Sequence, residues 1–160
     1  DMMLFYINQS KQDFSSKFGL IKGNINYDWA QLNDYNRFAA RSINILSATG
    51  KDCYSEILYS IQFEKSKLNV QLYVNNKHEQ FVQFKEYVSS NKDFKFNESE
   101  WGIRVFQEED LGKFLNNEGG DKLIKEWFVN SFEKFQDFIF KSEEKLNWNE
   151  KFIKRLKKEL

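Results

Sequence analysis

The chain has no proline, one cysteine and one histidine in 160 residues. Without proline there is no semi-rigid linker and no proline-directed recognition segment. A single cysteine, Cys53, forbids an intramolecular disulfide and fits a reducing compartment. One cysteine and one histidine also fall short of the ligand set of a zinc site. Excess charge of one sign is missing as well, because 24 Lys and Arg balance 24 Asp and Glu. A whole-surface attraction to nucleic acid or membrane is thereby excluded, and such a partner would need a local patch. No apolar run approaches the roughly 20 residues that span a bilayer. The apolar stretch from Met2 to Ile7 lacks a basic flank and a small-residue cleavage site, so it does not read as a signal peptide. Together these absences predict a cytoplasmic protein with no membrane partner and no cofactor.

Aromatic residues are abundant, with 17 Phe, 7 Tyr and 4 Trp. Each buries a large area, so few of them fill a core. An apolar fraction of 41% with 30% charged residues is an ordinary globular balance and excludes a disordered chain. The length suits one hydrophobic core, and no linker divides the sequence. A single domain over 1–160 is expected, with a helical segment over 1–41, a sheet with one inserted helix over 42–107, and C-terminal helices over 108–160.

The hydrophobic pattern predicts the elements. Trp29, Leu32, Tyr35, Phe38 and Ala39 recur at helical spacing through 27–40. Ser42 to Ala48 and Tyr54 to Glu64 read as strands, the second carrying Ile57, Tyr59, Ile61 and Phe63 on one face. Lys65-Ser66 forms a tight connection to a third strand with Leu68, Val70, Leu72 and Val74 alternating. So short a connection makes these two strands antiparallel neighbours. Asn75 or Asn76 is the expected cap of a helix reaching Ser90, with Phe81, Phe84, Tyr87 and Val88 inward. Two short strands follow, Phe94 to Phe96 and Trp101 to Phe106. A helix over Glu109 to Asn116 should stop at Gly119-Gly120, with Asp121 capping a long helix to about Leu146. Asn147 or Asn149 would start a last helix. Trp101 and Trp127 are expected in the core. The fold class is α+β: a small, mostly antiparallel sheet of about four to five strands, packed against helices, with a long C-terminal helix.

Chemistry is sparse. Cys53 and His78 would form a nucleophile pair only if the fold brought them together, and no signature surrounds either. At a helix start, His78 reads as a solvated residue whose protonation the helix dipole disfavours. A metal-dependent nuclease of the PD-(D/E)XK kind would draw on Asp52, Glu56 and Glu64. Its chemistry needs an acid and a lysine two residues apart on one strand face, sharing a metal-bound water. Here Ser66 lies two after Glu64 and Lys65 points to the opposite face, so the register is missed. No catalytic residue and no metal ligand is assigned.

Two charged groups stand out as contact surfaces. Lys151, Lys154, Arg155, Lys157 and Lys158 line one helix whose other side carries Phe152, Ile153, Leu156 and Leu160. That arrangement suits phosphate or partner contact, and equally a terminal helix whose cations complement its own dipole. Glu98, Glu100, Glu108, Glu109 and Asp110 form an acidic stretch interrupted by Arg104 alone. It reads either as solvated strand ends that discourage edge pairing or as a surface for a basic partner.

Residues 42–145 are similar to a bacterial and archaeal domain of unknown function that often follows nuclease-like or restriction-associated modules. The likeness rests on Val70-Gln71-Leu72-Tyr73-Val74, then Phe81 and Phe84, the Glu100-Trp101 pair, Trp127, and the series Phe132, Phe135 and Phe138. The N-terminal segment and the basic C-terminal tail depart from that pattern. The resemblance implies an accessory domain in a nucleic-acid or defence setting. The resulting expectation is a non-catalytic binding domain of a bacterial or phage defence-related protein. Its partner would be a macromolecule, protein in preference to nucleic acid because the net charge is zero. A nuclease with a degenerate motif and a small inhibitor or immunity-type protein with an acidic surface are the competing readings.

Overall fold

The computed structural model describes residues 37–62, 65–115 and 118–158. Five strands form one antiparallel sheet: β1 (Arg37–Ile43), β2 (Ser55–Gln62), β3 (Lys67–Asn75), β4 (Lys95–Glu98) and β5 (Gly102–Asp110). Their spatial order is β1-β2-β3-β5-β4. The helices are α1 (Phe81–Ser90), the short α2 (Gly112–Leu115), the 22-residue α3 (Gly120–Lys141) and α4 (Glu150–Lys158). A 3-10 turn, Ser142–Glu144, follows α3 directly. The fold is α+β, as the alternation of the sequence requires.

Register explains the core. Ile57, Tyr59 and Ile61 stand opposite Leu72, Val70 and Leu68, and Leu72 and Val74 stand opposite Val105 and Ile103. Period-two alternation puts all of them on one face, and all are buried. Helix α3 covers that face, with Phe128 and Phe132 meeting the Tyr59 ring at centroid distances of 5.2 and 5.7 Å. Phe135 and Phe138 meet Phe94 at 4.6 and 5.3 Å, and Tyr87 of α1 meets Phe138 at 5.2 Å. Burying each such ring contributes about 2–3 kcal/mol. The aromatic wealth of the chain is spent here.

The C-terminal segment is tied to the chain after β1. The Ser47 amide donates to the Asn147 carbonyl at 2.9 Å, and the Asn149 amide to the Ile45 carbonyl at 2.8 Å. Buried Trp148 donates its indole N–H to Ser142 Oγ at 2.7 Å. Asn149 Oδ1 accepts the Lys151 and Phe152 amides, so it caps α4.

Several local expectations give way. Residues 37–40, read as the end of a helix, belong to β1, where pairing with β2 from Arg37↔Gln62 to Ile43↔Glu56 overrides helical spacing. The rest of that expected helix, the run Met2 to Ile7, Glu64 and Leu160 lie outside the described residues, as do the side chains of Asp121, Arg155 and Lys158. Helix α1 begins at Phe81 and not after Asn75 or Asn76, because both asparagines serve neighbouring loops. Asn75 Nδ2 donates to the Asp52 carbonyl at 2.7 Å, and Asn76 Nδ2 to the Glu100 carbonyl at 2.6 Å. Glu109 and Asp110 extend β5, paired with Leu68 and Lys67, so α2 keeps only one turn. Gly119, at φ 76°, forms the N-cap of α3, and Gly120 is its first residue.

Candidate contact surface on the β4–β5 hairpin

Trp101 is 70% exposed, contrary to its expected place in the core. Its alternation with Ile103 and Val105 is real, but β5 begins at Gly102. Trp101 therefore sits in the connection 99–101, beyond the reach of the covering helices. The connection is held from both sides. The Ser99 amide donates to the Gly102 carbonyl at 2.8 Å, and the Trp101 amide to Ser99 Oγ at 3.2 Å. The Asn76 amide donates to the Trp101 carbonyl at 2.9 Å, while its side chain holds the Glu100 carbonyl. At Gly102 the backbone runs so close to β3 that a Cβ would stand 2.4 Å from the Val74 carbonyl oxygen. A large indole is thus presented on a fixed backbone. The same hairpin exposes Phe96 on β4, at 45%.

The acidic residues do not form one surface. Glu98 and Glu100 lie at the tip, whereas Glu108, Glu109 and Asp110 lie at the far end of β5, on the order of 17 Å along the strand. Glu98 pairs with Lys85 of α1 at 2.9 Å. Glu109 pairs with Lys113 at 3.6 Å. The Asp110 carboxylate accepts the Gly112 amide and the Ser66 hydroxyl, each at 3.0 Å, and these bonds hold it below the usual carboxylate range. Glu109 and Asp110 therefore organise the start of α2.

The basic group sits on α4. Lys154 pairs with Glu150 at 3.1 Å and Lys157 with Glu143 at 3.3 Å, while Lys151 is exposed. Arg155 and Lys158 belong to the same helix. Two of the cations are thus partly neutralised by their own neighbours.

The other chemical candidates resolve into structure. His78 is buried, not solvated, and its Nδ1 accepts the Gln80 amide at 3.0 Å. Burial lowers its pKa from the ordinary value, which disfavours the charged form. Cys53 donates to the Lys77 carbonyl at 3.6 Å and makes no bond to the imidazole. Asp52 lies in the exposed loop before β2, and Glu56 accepts the Tyr54 hydroxyl at 2.6 Å on the sheet face away from α3. Among the described residues, no three His, Cys, Asp or Glu side chains converge as a metal site would require. No helix of the described residues is long and apolar enough to cross a membrane.

Two residues carry no signal of their role in the sequence. Gln80 donates its Nε2 to the Ser47 and Asn147 carbonyls at 2.8 Å each, and its Oε1 accepts the Asn147 amide at 2.7 Å. Phe96 has only the pattern of a strand residue. The available signal was at Trp101: two short alternating strands separated by a charged pair imply a tip, and a tip is exposed. Compared with known proteins, the chain matches no family model, no curated protein and no solved structure.

Proposed function

We propose that this chain is a non-catalytic interaction module that presents the β4–β5 hairpin, with Trp101 at its tip, to a protein partner. The supporting observation is the 70% exposure of Trp101 on a backbone already clamped by Ser99, Asn76 and Gly102. Large aromatic side chains dominate interface energetics, and one held in place before binding loses little freedom on docking. A protein partner is favoured over nucleic acid because the net charge is zero and Lys154 and Lys157 already have acidic neighbours. The setting we propose, a bacterial or phage defence-related protein, rests on the sequence resemblance of residues 42–145 to a domain of unknown function that often follows nuclease-like or restriction-associated modules.

The test compares capture from native lysate by the parent protein, by Trp101→Ala, and by a variant with Lys151, Lys154 and Lys157 changed to Gln. The expected result is a specific partner kept by the lysine variant and weakened at least about 30-fold by Trp101→Ala. A partner that ignores Trp101→Ala and disappears with the lysines would overturn the proposal.

A further inference from the structure

Strand β4 is one edge of the sheet, and all four of its residues are exposed. The bond from the Ser99 amide to the Gly102 carbonyl sets the phase of the hairpin. Antiparallel pairs alternate between hydrogen-bonded and non-bonded, so Asn97↔Arg104 and Lys95↔Phe106 share the bonds. The main-chain N–H and C=O groups of Phe96 and Glu98 therefore point away from the sheet. Phe96 and Glu98 stand opposite Val105 and Ile103, so their side chains lie on the face that carries the helices. On the same face α3 and β5 leave an open groove of about 590 Å³, whose lining includes Gln107, Trp127, Glu133, Lys134 and Asp137. Among the described residues, these outward main-chain groups meet no further strand, and the two residues carry one aromatic and one acidic side chain on the helix-bearing face.

We infer that the outer edge of β4 accepts an extended segment of the partner as an added antiparallel strand, with a basic side chain opposite Glu98 and an apolar one opposite Phe96. The inference rests on the hairpin being the contact surface. Main-chain bonds would supply affinity, and the cross-strand pairs would supply selectivity. Running antiparallel, the segment reads basic–x–apolar. Glu98 already meets Lys85, but both side chains are nearly half exposed, and such a pair is easily shared with an incoming cation. Glu100 in the adjoining connection adds a second carboxylate at that end.

A second copy of this chain fits the edge poorly. Two-fold pairing keeps side chains of the same face opposite one another. The available registers then set Glu98 against Phe94, against Phe96 or against another Glu98. Each joins a carboxylate to an aromatic ring or to its own kind. A segment of different sequence avoids all three.

The probe is a blocked heptapeptide with threonine at the odd positions and lysine, phenylalanine and valine, in that order, at the even ones. On binding, amide hydrogen exchange at Phe96 and Glu98 should slow at least about tenfold, while exchange at Lys95 and Asn97 stays as it was. Methylating the phenylalanine nitrogen of the peptide should abolish binding, since it removes a main-chain donor and leaves the side chains intact. Glu98→Lys should reverse the preference toward a peptide with glutamate in place of lysine. Absence of slowed exchange at about 1 mM peptide, or binding that survives methylation, overturns strand addition. A natural partner lost with Trp101→Ala that leaves the Phe96 and Glu98 amides freely exchanging also overturns it, and leaves the role of the tip standing. Protection of those amides by a partner indifferent to Trp101→Ala overturns the role of the tip alone.

Discussion

Gly102 shows how a single missing methyl group shapes the candidate surface. The atoms its Cβ would meet include the Val74 carbonyl at 2.4 Å and Asn75 Cα at 2.8 Å, which are backbone and cannot swing aside. Gly102→Ala should therefore push the start of β5 away from β3 and cost about 1–3 kcal/mol in chemical denaturation. His78 and Glu79, adjacent in sequence, predict two separate pH effects. Burial holds the imidazole below its ordinary value of 6.5, so the unfolded chain binds that proton at a higher pH than the folded chain does. Stability is then complete above that value and falls as pH drops through it toward the lower folded value. Glu79 accepts the Thr49 hydroxyl, the Thr49 amide and the Gly50 amide, which hold its carboxyl below the ordinary value of 4.5. Its contribution is present above the ordinary value and disappears as pH falls through the folded one. A series of urea midpoints from about pH 8 to about pH 3 should show both losses. His78→Gln should flatten the upper one and Glu79→Gln the lower.

At the scale of elements, one side chain joins three segments. Gln80 bonds the Ser47 and Asn147 main chain beside an open cleft of about 550 Å³ that Glu79, Gln83 and Glu143 also line. Gln80→Ala leaves main-chain groups of two loops without that partner and should cost about 2 kcal/mol. It should also speed amide exchange at Asn147. The long helix α3 makes a parallel point about burial. Phe128 is fully buried, whereas Trp127 is only partly covered, and the two rings meet edge to face at 5.1 Å. Phe128→Ala should cost about 3–5 kcal/mol, Trp127→Ala roughly half as much, and Trp101→Ala under about 0.5 kcal/mol. A loss at Trp101 as large as that at Phe128 would mean that the indole is packed, and the hairpin would no longer stand as a contact surface.

For the whole molecule, charge balance sets the expectation for nucleic acid. With 24 cationic and 24 anionic side chains, and with Lys154 and Lys157 beside acids, few counterions can be released on meeting a duplex. A fluorescently labelled DNA duplex should show no binding by anisotropy at about 0.15 M salt. Binding that weakens steeply with salt and vanishes when Lys151, Lys154 and Lys157 become Gln would transfer the contact surface to α4.

By itself the sequence determined the α+β class and the β2–β3 pairing, because these depend on periodicities that neighbouring residues carry. The strand faces of Ile57, Tyr59 and Ile61 follow from alternation alone. Local pattern narrowed the cap of α4 to Asn147 or Asn149, and the amides of Lys151 and Phe152 single out Asn149. Only the tertiary structure decided matters in which distant residues compete for one group. Asn75 and Asn76 are credible helix caps until the Asp52 and Glu100 carbonyls claim their side chains. His78 looks solvated until the fold encloses it. Trp101 shares the alternation of Ile103 and Val105, and the pattern cannot say where the covering helices end. Burial depends on what lies across the sheet, and that partner is set by packing between elements far apart in the chain.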